Sequence, residues 1–187
     1  MHGNARSRGF SLLELMAVMA ILSVLSMTAM FSYKVYIRKA RNGEAVAFLM
    51  DIKMKQETYF MAYSRYVSTA TTPDGFYPDS FPYSPYPWVT SSRPWDCATP
   101  GTSAAIKGFC ALGISPTSEE TFFQYVTMGW EPGADPPAAG TNGAYIRDPT
   151  RRWWFARSRG FAGTGPTLPF EFRISSELNE IIELPLD

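Results

Sequence analysis

The feature that most constrains this chain is a long apolar run near its N-terminus. From Phe10 to Phe31 the sequence reads FSLLELMAVMAILSVLSMTAMF, and Glu14 is its one charged residue. A helix of about 20 apolar residues is long enough to cross the hydrocarbon core of a bilayer. An acid within such a helix costs free energy and usually has a function. The run therefore predicts one membrane-spanning helix in which Glu14 needs a specific reason to be present.

Two ordinary interpretations leave part of this pattern unexplained. A secretory signal would have its basic region at Arg6 and Arg8, but its apolar region would be shorter and would be followed by a small-residue cleavage site. A permanent single-pass anchor fits the length and gives Glu14 no role. Basic flanks do not settle the orientation, because four basic residues follow the run between residues 34 and 41, against two arginines before it.

A third interpretation comes from the residues at the start of the run. Residues 8–15 read RGFSLLEL, and they resemble the type III signal sequence of type IV prepilins and pseudopilins. The resemblance consists of a glycine before the cleavage point, a phenylalanine after it and a glutamate at the fifth mature position. It implies that prepilin peptidase cuts between Gly9 and Phe10 and methylates the new amino group of Phe10. The freed amine would then need an opposite charge, and we expect Glu14 of an adjacent subunit to supply it in an assembly salt bridge.

The resemblance also implies a function and a set of partners. It implies a structural subunit of a type IV pilus or related filament, assembled through its N-terminal helices and serving motility, adhesion or DNA uptake. The implied partners are other pilin subunits, prepilin peptidase, an assembly ATPase with its platform and the bacterial inner membrane before assembly. The subunit would then lie in a surface pilus or a periplasmic pseudopilus. The alternatives are a pseudopilin of a type II secretion system and a membrane-anchored adhesive or ligand-binding protein.

The helical pattern continues beyond the membrane segment. Proline is absent from the chain before Pro73, and apolar residues recur at steps of three and four, which is typical of one amphipathic helix face. We expect one helix from Phe10 to about Val67, with Gly43 as its weak point. The predicted apolar stripe consists of Ala45, Leu49, Ile52, Tyr59, Tyr63 and Tyr66.

The rest of the chain predicts a globular head with an α+β fold. Residues 71–118 are rich in Pro, Gly, Ser and Thr, so we expect an irregular loop there, including the pair Pro82 and Pro85. Cys97 and Cys110 lie in this loop and would form a disulfide in an exported protein. Residues 121–130, 151–161 and 169–175 predict strands, and residues 181–184 a short last one.

We therefore expect a long N-terminal helix packed through its tyrosine stripe on a small antiparallel sheet, a pilin-like roll. The predicted segments are a leader (1–9), a transmembrane and assembly half-helix (10–31), an amphipathic half-helix (32–69) and a head (70–187).

Catalysis and metal binding are not expected from the composition. The one histidine, His2, lies in the predicted leader, so the mature chain could form no Ser-His, Cys-His or His-containing metal site. We expect no enzyme activity, cofactor or metal. The equal numbers of basic and acidic residues, 17 each, do not favour nucleic acid as a general partner. Arg151, Arg152, Trp153 and Trp154 nevertheless suggest a basic and aromatic surface that could bind DNA by stacking.

Overall fold

The structure is a computed structural model with two compact units, Met1–Ile37 and Arg38–Asp187. It describes residues 11–78, 86–88, 97–98, 103–115, 120–133, 148, 150–160 and 170–185. Two helices, α1 (Leu12–Tyr63) and α2 (Ala104–Leu112), occur with a two-stranded ribbon, β1 (Tyr86–Pro87) and β2 (Glu120–Thr121). A four-stranded sheet contains β3 (Phe123–Trp130), β4 (Trp153–Gly160), β5 (Phe170–Ser175) and β6 (Ile182–Pro185). The predicted α+β arrangement is confirmed.

Local sequence signals set the ends of α1. Its first turn is capped by Ser11, whose Oγ accepts a hydrogen bond from the backbone N–H of Glu14 at 3.2 Å. The helix runs without a break through Gly43, the predicted weak point. It ends at Tyr63 rather than near the predicted Val67, because Ser64 adopts a left-handed conformation with φ of 55°.

A buried glutamine turns the chain back after α1. The side chain of Gln56 accepts from the backbone N–H of Val67 at 2.9 Å and donates to the carbonyl oxygen of Val67 at 2.7 Å. It also donates to Oγ1 of Thr127 on β3 at 2.9 Å. These bonds satisfy the backbone N–H and carbonyl groups of Val67, so these groups need no partners within a longer helix.

The buried stripe of α1 begins at Ala45 as predicted and differs from the predicted stripe toward its C-terminal end. Ala45, Leu49 and Ile52 are buried as expected, but Phe48 and Gln56 complete the stripe. The predicted tyrosines contribute much less. Tyr59 is only partly buried against the core, Tyr63 is 63% exposed, and Tyr66 lies beyond the helix. The predicted tyrosine stripe is therefore confirmed in part, because Tyr59 and Tyr66 pack against the core whereas Tyr63 does not, and because the helix ends before Tyr66.

The sheet is an antiparallel meander in the order β3-β4-β5-β6. One face shares a core with α1, and the rings of Phe48 and Tyr125 lie 4.1 Å apart. This core includes the strand residues Phe123, Tyr125, Trp154, Ala156, Phe172 and Ile174. The last strand, β6, forms where the sequence predicted a short one.

The opposite face of the sheet is buried as well. Val126, Met128, Trp153 and Phe155 form a second apolar cluster with Phe76, which lies outside the strands. Alternation along a strand normally separates a buried face from a solvated one. Here both faces of β3 and β4 are buried, and the second face combines this apolar cluster with buried polar side chains such as Gln124 and Arg157.

The segment predicted to be irregular contains regular structure in two places. Residues 86–87 pair with 120–121 as a short ribbon, and Ala104–Leu112 form α2. Ser103 caps the N-terminus of α2, and Gly113 ends it with φ of 66°. A disulfide joins Cys97 to Cys110 of this helix. Pro82 and Pro85 lie outside the described residues.

Candidate functional site

The predicted processing site lies at the edge of the described structure. Gly9 and Phe10 are outside the described residues, which begin at Ser11. Glu14 occupies the first turn of α1 and is exposed. Within the part of the chain that the structure describes, no side chain pairs with its carboxylate. The proposed bridge from Glu14 to Phe10 of another subunit therefore stays a prediction.

The apolar half of α1 has no cover from its own chain among the described residues. Every large apolar side chain from Leu12 to Phe31 is exposed, with exposed fractions from 43% at Val18 to 78% at Leu13 and Met27. α1 is the one described helix that is long and apolar enough to cross a membrane. The hydroxyls of Ser23 and Thr28 donate to the carbonyl oxygens of Met19 and Leu25 at 2.7 and 2.9 Å. Such back-bonding satisfies polar groups in a setting without water.

The second half of α1 carries an exposed face without charge, which we call the uncharged stripe. Its members follow steps of four, three, four, four and three residues, and so lie on one side of a helix. They are Gly43, Ala47, Met50, Met54, Thr58 and Met61.

The three methionines of the uncharged stripe are 40%, 64% and 84% exposed in chain order. Nothing lies within 4 Å of the position that a Cβ would take at Gly43. A groove of about 640 Å³ runs beside Ala47, Met50, Met54 and Thr58, and the charged side chains of Asp51, Lys53 and Glu57 also line it. The exposed face of a helix in a soluble domain is normally charged or polar. The stripe itself is therefore an uncharged surface that another apolar surface could cover, with charged side chains along its edge.

The predicted basic and aromatic surface does not form as expected. Trp153 and Trp154 are almost completely buried, one on each face of the sheet, so neither can stack on a base. Arg151 pairs with Asp148 at 3.4 Å, and Arg152 pairs with Glu131 at 2.7 Å. The prediction of an aromatic stacking surface is wrong, because the sheet is buried on both faces.

A buried ionic cluster, which the sequence analysis missed, lies on the same sheet. Arg157 donates to Glu171 through Nε at 2.6 Å and through Nη2 at 3.1 Å, and Arg173 donates to the same carboxylate. Burial opposes ionisation of Glu171, but the hydrogen bonds and charges of the two arginines outweigh it and hold its pKa below the ordinary value. Arg157 and Arg173 are direct cross-strand partners, so the carboxylate is needed to offset two like charges.

Carboxylates of α1 also fix the helix on the sheet. Oε1 of Glu44 accepts from Oγ1 of Thr121 at 2.5 Å and from the backbone N–H of Phe122 at 3.3 Å. Oε1 of Glu57 accepts from Nε1 of Trp154 at 2.8 Å. Burial and the nearby charge of Glu44 raise the pKa of Tyr125 well above its usual value. These bonds stabilise the head and leave the uncharged stripe on the outside of the helix.

Comparison with known proteins bears on the N-terminal segment. The family model of the prokaryotic N-terminal methylation motif matches residues 4–30. The searches of curated proteins and of solved structures found no match. The matched residues include the RGFSLLEL segment and most of the apolar run. Residues 4–30 of this chain therefore match the prokaryotic N-terminal methylation motif, the type of signal motif that type IV prepilins and pseudopilins carry.

Proposed function

We propose that this protein is a structural subunit of a type IV pilus or a related filament. In this proposal prepilin peptidase cuts after Gly9 and methylates Phe10. The subunit then waits in the inner membrane as a single-pass protein until an assembly ATPase and its platform add it to the filament. Its role is structural rather than catalytic. The observation that carries the proposal is the methylation motif at the start of an apolar helix without cover from its own chain.

The energetics of that helix require an apolar environment in every state. Burying a large aliphatic side chain is worth roughly 1.5–3 kcal/mol, and the apolar half of α1 exposes such side chains on all sides. Lipid can meet this requirement before assembly. After extraction from the membrane, only the apolar helices of other subunits can replace the lipid. A bundle of N-terminal helices is the arrangement that satisfies both states.

The acid and the new amine make the bundle specific. Dispersion contacts between apolar helices do not by themselves fix an axial register, whereas a buried polar pair can. Glu14 and the amine of Phe10 would each be costly to bury alone in such a bundle. A bridge between Glu14 of one subunit and Phe10 of its neighbour would remove both costs in one register.

The uncharged stripe supports assembly through the second half of α1. Charged residues of this half, such as Glu44, Asp51 and Lys55, lie off the stripe. A neighbouring helix could therefore pack on the uncharged side chains of the stripe, with Asp51, Lys53 and Glu57 at the border of the contact. Gly43 would allow close approach, as small residues do between helices in membranes.

The first test is the mature N-terminus. Mass spectrometry of protein purified from membranes should give a chain that begins at N-methylated Phe10. A Gly9→Leu variant should keep its leader, whereas the matched control Gly3→Leu should be processed normally. An intact Met1 in the wild-type chain, or a cut near Ala29, would instead indicate a permanent anchor or a secreted domain.

The second test is incorporation into filaments. Glu14→Ala should reduce the amount of subunit in sheared surface filaments at least tenfold while its amount in the membrane stays unchanged. A Ser11→Ala control, which removes only the helix cap, should have a smaller effect. Recovery from surface shearing would indicate a pilus, and a periplasmic filament would indicate a secretion pseudopilus. Normal incorporation of Glu14→Ala would remove the salt bridge from the proposal.

A further inference from the structure

A cleft lies beside the contact between α2 and the turn that follows α1. Its volume is about 370 Å³, which is enough for a small organic molecule. Tyr59, Arg65 and Tyr66 contribute to one wall, and Ala104, Lys107 and Ala111 of α2 contribute to the other. The three α2 positions are separated by three and four residues, so they lie on one face of that helix. We call this site the α2 cleft.

The α2 cleft is lined by cations and, among the described residues, by no acid. Arg65 and Lys107 are exposed and approach it from opposite walls. In the part of the chain that the structure describes, neither forms an ion pair. Arg151, Arg152 and Arg157 are all paired with carboxylates. The two cations of the cleft are thus available to a negatively charged ligand in a way that those arginines are not.

Two phenols add neutral hydrogen-bond donors to the cleft. The hydroxyl of Tyr59 accepts from Nη2 of Arg65 at 3.4 Å, which leaves its own proton free to be donated elsewhere. Burial, with a smaller effect from Glu57, raises the pKa of Tyr66 to about 12. Tyr66 is protonated at physiological pH, as a phenol with the ordinary pKa of 10.0 also is. Cations together with neutral O–H donors favour a carboxylate or a phosphate.

The walls of the α2 cleft are held in place by close backbone contacts. A Cβ at Gly108 would lie 2.8 Å from the carbonyl oxygen of Ser68 and from Cα of Thr69, so α2 is packed directly against the turn. A Cβ at Gly129 would lie 2.3 Å from Cβ of Tyr66. The ring of Tyr66 also stacks on Phe60, with centroids 4.6 Å apart. The cleft is preformed, which lowers the entropic cost of binding.

We propose that the α2 cleft is a binding site for a small anion-bearing ligand, a carboxylate or phosphate group on a body of about the size of a monosaccharide. The guanidinium of Arg65 and the ammonium of Lys107 hold the anionic group. The phenol rings and the small face of α2, Ala104 and Ala111, contact the less polar body. This site shares no lining residue with the uncharged stripe, and its ligand binding does not depend on whether the protein forms filaments.

Titration calorimetry on the full-length protein in detergent micelles tests this site. Glucuronate should bind, and glucose, which has a similar ring without the carboxylate, should not. Inorganic phosphate separates two sources of the same chemistry. Binding of phosphate as well as glucuronate would show that the anionic group is sufficient, and binding of glucuronate alone would show that the ring is required as well. Failure of both anions to bind, or equal binding of glucose, would overturn the proposal.

Two cleft variants and one control variant test whether the ligand binds in the α2 cleft. Arg65→Gln/Lys107→Gln should weaken glucuronate binding at least tenfold. Lys39→Gln/Arg151→Gln makes the same change in net charge away from the cleft and should leave the affinity within twofold. Ala111→Glu puts a carboxylate on the exposed face of α2 without removing a contact of the fold, and it should abolish binding even if the double variant is poorly folded. Unchanged affinity in both cleft variants would contradict the assignment.

Discussion

Between Leu12 and Phe31, α1 exposes all of its large apolar side chains, whereas between Ala45 and Gln56 the same helix buries five residues in the core of the head. The backbone conformation is the same in both halves. The difference lies in which groups cover the side chains. The second half meets its partners within the chain, and the described part of the first half meets none.

Two halves of one continuous helix can therefore form by the same local hydrogen bonds and still differ in what covers their side chains. Intrahelical hydrogen bonds form locally in either half. Burial in the second half depends on strands that lie more than 70 residues away in sequence, as in the hydrogen bond from Gln56 to Thr127. In the first half no described residue of the chain supplies that cover, and in the proposed function lipid or other subunits supply it. Substitutions in the second half should therefore affect folding, and substitutions in the first half should affect assembly.

The largest expected difference is between two acids. Glu171→Gln removes the buried carboxylate that both Arg157 and Arg173 contact and leaves Arg157 with the exposed carboxylate of Asp74 at 3.1 Å. Breaking a buried ion pair in this way costs about 3–5 kcal/mol. Glu14→Gln should leave the unfolding of the head unchanged, because Glu14 has no side-chain partner among the described residues. Denaturant unfolding of the full chain in detergent, followed by tryptophan fluorescence, measures both. A loss of head stability in Glu14→Gln would break the comparison.

The ion pairs of Glu171 also predict how the stability of the head depends on pH. Because the pKa of Glu171 is lower in the folded state, its contribution to stability is fully present above the ordinary value of 4.5 and is lost as the pH falls through the lowered pKa. Wild-type protein should lose stability on acidification below about pH 4.5 more steeply than Glu171→Gln. Equal slopes for the two proteins would mean that the ionic cluster does not contribute in this way.

A pair of leucines provides a second test. Leu49→Ala leaves a cavity in the core of the head and should destabilise it by about 2–5 kcal/mol. Leu22→Ala removes the same atoms from an exposed position and should change head stability by less than about 0.5 kcal/mol. The same unfolding measurement applies to both variants, and sheared filaments report assembly. Leu22→Ala should reduce assembly, since its side chain would be covered by other subunits.

The disulfide should have an intermediate effect that is confined to the head. Cys97 and Cys110 are 13 positions apart, and closing a loop of about this length is worth about 3 kcal/mol in the chain-entropy model. Cys97→Ser/Cys110→Ser should lower the free energy of unfolding of the head by up to this amount. Ser23→Ala, in the apolar half of α1, is the control and should have no effect on that unfolding. A head stability unaffected by the cysteine substitutions would indicate that the bond is not formed in the purified protein.

The smallest effect is expected at Gly43, where the two tests give opposite signs. Alanine is favoured over glycine in a helix by about 1 kcal/mol, and the space around Gly43 is open. Gly43→Ala should therefore raise the stability of the head by about 0.5–1 kcal/mol. If a neighbouring helix approaches the uncharged stripe closely, the same variant should lower incorporation into filaments. Ala47→Gly is the reciprocal control, since it should lower stability without blocking that approach.

Several features of the fold follow from local patterns and could be predicted. The apolar run, the motif at residues 8–15 and the aromatic-rich strands depend on residues close together in sequence. The signals for α2 were also present, since Ser103 and Gly113 flank the segment AAIKGFCAL. The surrounding residues are rich in Pro, Gly, Ser and Thr, and this composition favoured the prediction of an irregular loop. The predicted end of α1 lies beyond the observed one, because the spacing of apolar residues carries no sign of the hydrogen bonds between Gln56 and Val67.

The sequence by itself determined that this chain has one apolar helix with a single acid in its first turn, a methylation motif and an α+β head. The tertiary structure decided which side chains that head covers. It buried Trp153 and Trp154 on opposite faces of the sheet and brought Arg157 and Arg173 to one carboxylate. It also left the uncharged stripe of α1 on the outside. Helix formation and membrane partition depend on neighbouring residues, so the sequence alone determines them. Burial depends on contacts between segments that are distant in sequence, so only the tertiary structure determines which side chains are covered.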